Sequence, residues 1–382
     1  MRFSERTAWE LGENAFAAKL REARASGCEL FDLTVSNPTA CGFAYDERAL
    51  LSPLAEPPAL LYEPEPLGMI SARKAVAAYY GDAGATVPVE HLCLTTSTSE
   101  AYSYLFRLLC DPGDEVLVAS PTYPLFDYIA RLDDVRLVEY PLLYDHGWLI
   151  DLHALAAAMT DRTRAIIVVH PNNPTGHFCS AAEREALQRL CAERGLALIV
   201  DEVFLDYALP GVAAQSFAAD PGAELTFVLS GLSKVCALPQ MKCSWIAATG
   251  QKAEVSAAME RLEIIADTFL SMNAPVQHAL PSWLAGRHSM QRQIRARMTE
   301  NIAALDAAIA GTACQRLEMD GGWTVVLRVP RTVDGVEFCE HALIRGVVLQ
   351  PGEFYGLPPG RAVLSLLTPP EVWRAGLARL FS

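Results

Sequence analysis

Residues 225–242 read LTFVLSGLSKVCALPQMK: an apolar, β-branched run that ends at Ser230–Gly231 and delivers one lysine, Lys234, just past it. A short run without polar alternation is a strand buried on both faces. The same pattern recurs outward from it. EVLVAS (115–120), RLVEY (136–140), AIIVVH (165–170) and LALIVDE (196–202) lie upstream, and CSWIAA (243–248) follows. Between them SEAYSYLFRLLC (99–110), DLHALAAAMT (151–160) and SAAEREALQRLCAERG (180–195) read as helices. Ser180 with Glu183 makes a capping box, and Gly195 stands where a helix C-terminus expects it. Apolar strands alternating with helices predict an α/β fold, a mostly parallel sheet covered on both faces.

Beyond about residue 250 the pattern changes. Long helical stretches (252–270 and 288–310) precede TVVLRVP, a helix at 335–345, GVVLQPG and AVLSLL, which suggests a second, smaller α+β unit. A chain of 382 residues is long for one core, so two packed units agree with its length.

Charge and composition exclude several classes of function. With 31 basic against 45 acidic side chains the formal charge is -14. Nucleic acid and anionic membranes both need clustered Lys and Arg, so neither is the expected partner; a small anion in one local pocket remains compatible. Ten scattered cysteines show no C-x-x-C pair and eight histidines no H-E-x-x-H, so no metal site is expected. The apolar runs are far shorter than the ~20 residues of a membrane helix. MRFSERTAWELGENAF lacks the apolar centre of a signal peptide, and a cytoplasmic protein is the expectation.

Ligands of open α/β sheets bind outside the carboxyl ends of the strands, and the polar residues of interest all fall there. LCLTTSTSE ends a strand, so Ser97, Thr98 and Ser99 open the next helix, where free N–H groups and hydroxyls favour an anion. ASPTYP sets Tyr123 at a loop–helix junction, able to cover a flat ring or simply to pack. HPNNPTG (170–176) has an extended, turn-rich backbone that can aim Asn173 into a crevice, with His170 read as a core residue. Asp201 ends a wholly apolar strand, where a carboxylate is costly unless paired; a salt bridge and a functional acid are both open. Lys234 in its own strand-end position can act as an amine nucleophile. An aldehyde cofactor needs a lysine for a Schiff base, a carboxylate for its ring nitrogen, an aromatic cover and a phosphate cup. Successive strand ends supply all four.

On these residues the chain resembles the fold-type I pyridoxal-phosphate enzymes, specifically the class I/II aminotransferases. The matching stretches are SNPT (36–39), YEPEPLGMISARKAVAAYY, TSTSEAYSYLFRLLCDPGDEVLVASPTYP, HPNNPTG, DEVFLDY and SGLSK, in the family's order. Asp201 lies 28 positions after Asn173, and Lys234 33 positions further. The resemblance implies an aspartate-aminotransferase-like fold: a seven-stranded, mostly parallel sheet between helices and a smaller α+β domain. The expected division is 1–45 for the N-terminal arm and part of the small domain, 46–286 for the large domain, and 287–382 for the C-terminal small domain.

The cofactor so implied is pyridoxal 5′-phosphate. Lys234 would form the internal aldimine and carry the proton in transamination between an amino donor and a 2-oxo acid, and Asp201 would pair with the ring nitrogen. Asn173 would bond the ring's phenolic oxygen and Tyr123 stack on its face. Ser97, Thr98, Ser99 and Ser230 or Ser233 would hold the phosphate, with Tyr62 reaching it from a second subunit, which implies a homodimer. Asn37 and Asn173 are the implied substrate contacts.

Three positions depart from the family. Phe204 replaces a tyrosine that also bonds the ring oxygen. Lys242 takes the place of a phosphate-binding arginine, keeping charge but not the bidentate fork. Val363 stands where relatives carry the arginine that clamps the substrate carboxylate; Arg361, two residues earlier on the same strand face, is either its substitute or a solvated charge. Lys242 and Val363 keep a C–S lyase or cyclase of the same fold open as the alternative to a transaminase. A transaminase-like sensor is disfavoured by the acidic charge and by the lack of a preceding DNA-binding segment in this sequence.

Overall fold

The computed structural model describes residues 1–220, 222 and 225–382. The large sheet comprises β1 (Leu92–Thr95), β2 (Glu115–Ser120), β3 (Arg136–Tyr144), β4 (Trp148–Ile150), β5 (Thr163–Val169), β6 (Ala197–Asp201), β7 (Leu225–Gly231) and β8 (Ser244–Gly250). Their spatial order is β1-β8-β7-β6-β5-β2-β3-β4. The block β7-β6-β5-β2-β3 is parallel, while β8 runs antiparallel between β7 and β1. Being antiparallel to the same strand, β1 and β7 point the same way. The ends of β1, β2, β5, β6 and β7 therefore all open on one edge, which is where the site forms.

The sheet has eight strands, one more than the seven expected. RLVEY reads as a strand over 136–140, ending one residue before Pro141. In the fold Pro141 pairs with Ser120, the last residue of β2, so β3 runs on to Tyr144 and turns into the short antiparallel β4.

Side chains of the parallel strands alternate between two cores, as the pleat requires. Ile166, Val168, Leu198 and Val200 pack on one side with the helices Ile70–Asp82, Ala181–Arg194 and Ala274–Gly286. Ala165, Ile167, Ala197 and Ile199 pack on the other with α1 (Thr98–Leu109) and α2 (Lys252–Phe269). Three of these helices have side-chain caps: Ser97 and Asn273 each cap one, and Ser180 with Glu183 forms a full capping box. Gly195, left-handed at φ 62°, ends Ala181–Arg194.

A third core gathers around a four-stranded antiparallel sheet, β9 (Gln315–Arg316), β10 (Thr324–Arg328), β11 (Gln350–Pro351) and β12 (Arg361–Ser365), ordered β9-β10-β12-β11. Helices His288–Ile309 and Pro370–Phe381 cover it, with Phe16, Leu33 and Cys41 of the N-terminal segment inside. Phe31–Asp32 pairs in parallel with Val347–Val348, which ties the start of the chain into this unit.

The two units are stitched beside the asparagine loop. Asp320 and Gly321 both donate their amides to the Gly176 carbonyl at 3.0 Å, and Gly322 donates to Tyr207 O at 3.0 Å. Gly176 is left-handed at φ 74°, and a Cβ there would stand 2.5 Å from Gly321 O. Gly176→Ala is therefore expected to lower the free energy of unfolding by roughly 2–3 kcal/mol, from the left-handed strain of about 1–2 kcal/mol and the displaced carbonyl. Urea denaturation against the parent checks this.

Candidate active site

Lys234 follows β7 on a tight turn that leaves little freedom. Tyr207 donates its hydroxyl to Lys234 O at 2.7 Å, Gln291 donates Nε2 to Val235 O at 3.0 Å, and Tyr45 donates its hydroxyl to Ala237 O at 2.8 Å. These donors come from three separate parts of the chain, so the lysine's backbone is held from both units. Its ammonium sits 5.6 Å from the Phe204 ring centroid and 5.8 Å from that of Trp323, both faces able to stabilise a cation. Burial pulls the Lys234 pKa below its usual value, with Asp201 opposing.

Asp201 ends β6 and is buried. Its Oδ1 accepts the Val203 amide and its Oδ2 the Tyr102 hydroxyl, each at 3.1 Å. Burial pushes its pKa up to about 6 in spite of both donors and Lys234. Among the described residues it makes no ion pair, so the salt-bridge reading of this acid falls away.

Asn173 stands in a loop that Asn172 organises, the latter accepting from Thr175 Oγ1 at 2.8 Å and donating to Pro121 O at 3.3 Å. The Asn173 Oδ1 accepts from Thr324 Oγ1 at 3.2 Å, which leaves its amide N–H₂ for the cleft. His170 is a satisfied core residue: Nδ1 accepts from Cys179 N at 3.1 Å and Nε2 faces Gln215 O at 3.2 Å. Burial drops its pKa to about 3, so it stays neutral.

One cleft of about 320 Å³ brings together Ser97, Thr98, Ser99, Tyr123, Asn173, Asp201, Phe204, Ser233, Lys234 and Lys242. Ser97 is committed to the helix, its Oγ accepting from Glu100 N at 3.1 Å. Ser230 does not line this cleft; its hydroxyl is fully buried and has no partner among the described residues.

Three further candidates line other surfaces, Tyr62 being implied for a second subunit's site and Arg361 being open to a solvated role. Tyr62 is 80% exposed and borders a different recess with Glu63, Glu65 and Leu270. Asn37 spends its Oδ1 on Thr39 N and Oγ1 at 3.2 and 2.9 Å, and its neighbour Ser36 reaches the cleft instead. Arg361 bonds Pro359 O and Gly360 O at 3.2 and 3.0 Å in an outer recess with Arg328 and Arg331. Two residues along a strand is roughly 7 Å, enough to carry the guanidinium off the site. Val363 itself is buried among Leu317, Val326 and Leu357, with Tyr355 packed against them.

Tyr102, Trp323, Thr324 and Tyr355 were not singled out by sequence reasoning. Tyr102 lies on the face of α1 that also carries Thr98, an i, i+4 relation that could have flagged it. The others arrive from β10 and the loop before β12, and no local pattern marks them.

The sequence profile described as "Aminotransferase class I and II" matches residues 55–377. The glutamate-pyruvate aminotransferase AlaA of Haemophilus influenzae is 30% identical over 271 residues, 70% of this chain and 67% of that protein. The alanine aminotransferase of Mycobacterium bovis is 29% identical over 273 residues, 70% of this chain and 63% of its own length. A solved Thermus thermophilus aspartate aminotransferase variant superposes with a TM-score of 0.87 at 25% identity, covering 99% of both chains.

The folded Asp201 carboxyl keeps its proton to about pH 6, whereas an unfolded aspartate loses it near 4. Folding therefore takes up a proton in that window, and the buried charge destabilises the protein progressively as pH rises through it. In protein stripped of small molecules, Asp201→Asn should be more stable than the parent at pH 7.5 by roughly 2–3 kcal/mol. Denaturation at a series of pH values should show the difference shrinking toward pH 4.

Proposed function

This chain belongs to the aminotransferase class I and II family and is a transferase, and on that premise we propose that it holds pyridoxal 5′-phosphate in the strand-end cleft. There it moves an amino group from an amino acid to a 2-oxo acid. The observation that carries the reading is Lys234 and Asp201 in one cleft, a buried amine and a buried carboxylate that do not pair with each other.

The donor set fits the cofactor. Thr98 and Ser99 stand at the N-terminus of α1, and neither their hydroxyls, that of Ser233 nor the Lys242 ammonium is engaged with another described residue. Free N–H groups, hydroxyls and a cation make an anion cup for a phosphate. The orphaned Ser230 hydroxyl is a further candidate donor. When bound, the cofactor supplies an aldehyde that captures an amine and a ring that accepts electrons from the substrate's Cα.

The chain's own residues do the rest. Lys234 Nζ, its pKa lowered by burial, would be the nucleophile and the base that takes the Cα proton. Asp201 holds the proton on the ring nitrogen, Asn173 Nδ2 donates to the phenolic oxygen, and Tyr123 covers the ring. Phe204 adds no hydroxyl there, so Asn173 is the side-chain donor to that oxygen. The relatives' names speak for amino acid–2-oxo acid exchange rather than C–S elimination or cyclisation. Ten free cysteines suit a reducing compartment, and among the described residues no helix is long and apolar enough to cross a membrane; the cytoplasm is the proposed location.

The division into an arm (1–45), a large domain (46–286) and a small domain (287–382) is retained in this reading. So is a homodimer: Leu60, Leu61, Tyr62, Ile264 and Phe269 are all at least half exposed, an apolar surface suited to a second copy that would bring Tyr62 to its neighbour's phosphate cup.

Pyridoxal phosphate added to the stripped protein should produce a visible absorption band that amino donors bleach. Lys234→Ala should lose that covalent band and roughly 10²–10⁴-fold of turnover. Turnover surviving intact in Lys234→Ala would end the mechanism. In sedimentation the protein should run as a dimer, which Leu61→Glu with Ile264→Glu should split, and Tyr62→Phe should weaken cofactor binding roughly tenfold.

A further inference from the structure

Tyr102 joins three parts of the cleft that the sequence keeps far apart. It lies on α1, one turn beyond Thr98 and therefore on the same helix face. Its hydroxyl donates to Asp201 Oδ2 at 3.1 Å across 99 positions of chain. Its ring meets Phe126 edge-on at 4.9 Å, and Phe126 in turn meets Tyr123 edge-on at 6.3 Å. Phe126 lines the cleft beside Tyr123. One buried side chain thus touches the acid directly and bears through Phe126 on the aromatic cover, from a helix whose first turn is the anion cup.

Asp201 has few other restraints. Its remaining donor is the Val203 amide on Oδ1, which belongs to its own segment and follows wherever the end of β6 goes. Two bonds to different oxygens fix the carboxylate plane, whereas one leaves it free to rotate about its terminal bond. Rotation would carry the acid away from a ring nitrogen or toward Lys234.

Resting on the function proposed above, we infer that Tyr102 is a positioning residue that acts through Asp201, orienting the carboxylate for the ring nitrogen of the cofactor. The hydroxyl touches neither the cofactor's reacting atoms nor substrate; it sets the direction of the group that does. The ring alone would fill the space equally well, so hydroxyl and packing separate cleanly in a Tyr102→Phe substitution.

The test uses cofactor-loaded protein. Tyr102→Phe should melt within a few degrees of the parent but release pyridoxal phosphate several-fold faster on dialysis. The absorption band should shift, and kcat should fall about tenfold with the donor KM little changed, the scale of one lost hydrogen bond to a charged acceptor. Tyr102→His, which keeps a ring and an N–H donor, should recover part of the release rate. In an Asp201→Asn background the Phe substitution should change release no further, because the group it orients is gone.

Release and spectrum equal to the parent, or an equal effect of the Phe substitution in the Asp201→Asn background, would overturn the inference. A Phe variant that fails to fold leaves the His variant to decide: release slower than in Asp201→Asn supports orientation, and equal release refutes it. A parent protein that takes up no pyridoxal phosphate would instead defeat the function proposed above.

Discussion

A carboxylate and an ammonium buried in the same cleft attract one another, and the arrangement of this site depends on their not meeting. In a medium of low dielectric the pull between such charges is strong, and a collapsed ion pair would leave neither group free. Lys234 and Asp201 both stay within the cleft without pairing. The protein achieves this by giving each charge other company. Asp201 receives a hydroxyl and an amide, one on each oxygen. Lys234 receives two ring faces, Phe204 and Trp323.

Backbone geometry makes that separation durable. Strand ends at one sheet edge deliver the acid, the lysine and the helix N-terminus to one level: Asp201 is in register with Leu229, and Ser244 with both Thr95 and Gly231. Side-chain donors then pin the turn after β7 at three successive points, from Tyr207, Gln291 and Tyr45. A lysine so held can move its ammonium but not its backbone. The smaller unit adds Trp323 and Thr324 to the cleft, at the start of β10, and the Gly176 carbonyl joins the two units by accepting a pair of amide hydrogen bonds.

The parallel core was legible because nearly every buried strand is a continuous apolar run, and Lys234, Asp201, Asn173 and the Thr98–Ser99 turn each sit at the end of one. Local order sufficed for those. It failed where position depends on a partner far along the chain. Arg361 satisfied the two-residue period of its strand, but period says nothing about distance along the strand axis, and the residue ended beside Arg328 instead of the cleft. Asn37, implied as a substrate contact, has its Oδ1 taken locally, by Thr39 two residues on. The eighth strand, Trp148–Ile150, is only three residues long and pairs along one edge alone, too short for a pattern to mark it. Tyr102 read as one more aromatic on an amphipathic helix, since its acceptor lies on another strand.

The aromatic faces around Lys234 change the meaning of Phe204. At the sequence level this residue is a loss, a hydroxyl absent from the ring-oxygen contact. In the fold its ring lies edge-to-face with Trp323 at 5.3 Å and turns a face toward the ammonium. A tyrosine would place a hydroxyl in the same wall, offering the lysine an oxygen to bond. A hydrocarbon face attracts a cation without directing it to one acceptor. The ammonium is therefore held weakly and from the side, while the carboxylate is held firmly by hydrogen bonds. That asymmetry suits the proposed reaction, in which the amine would leave its resting place during every turnover and the acid would not.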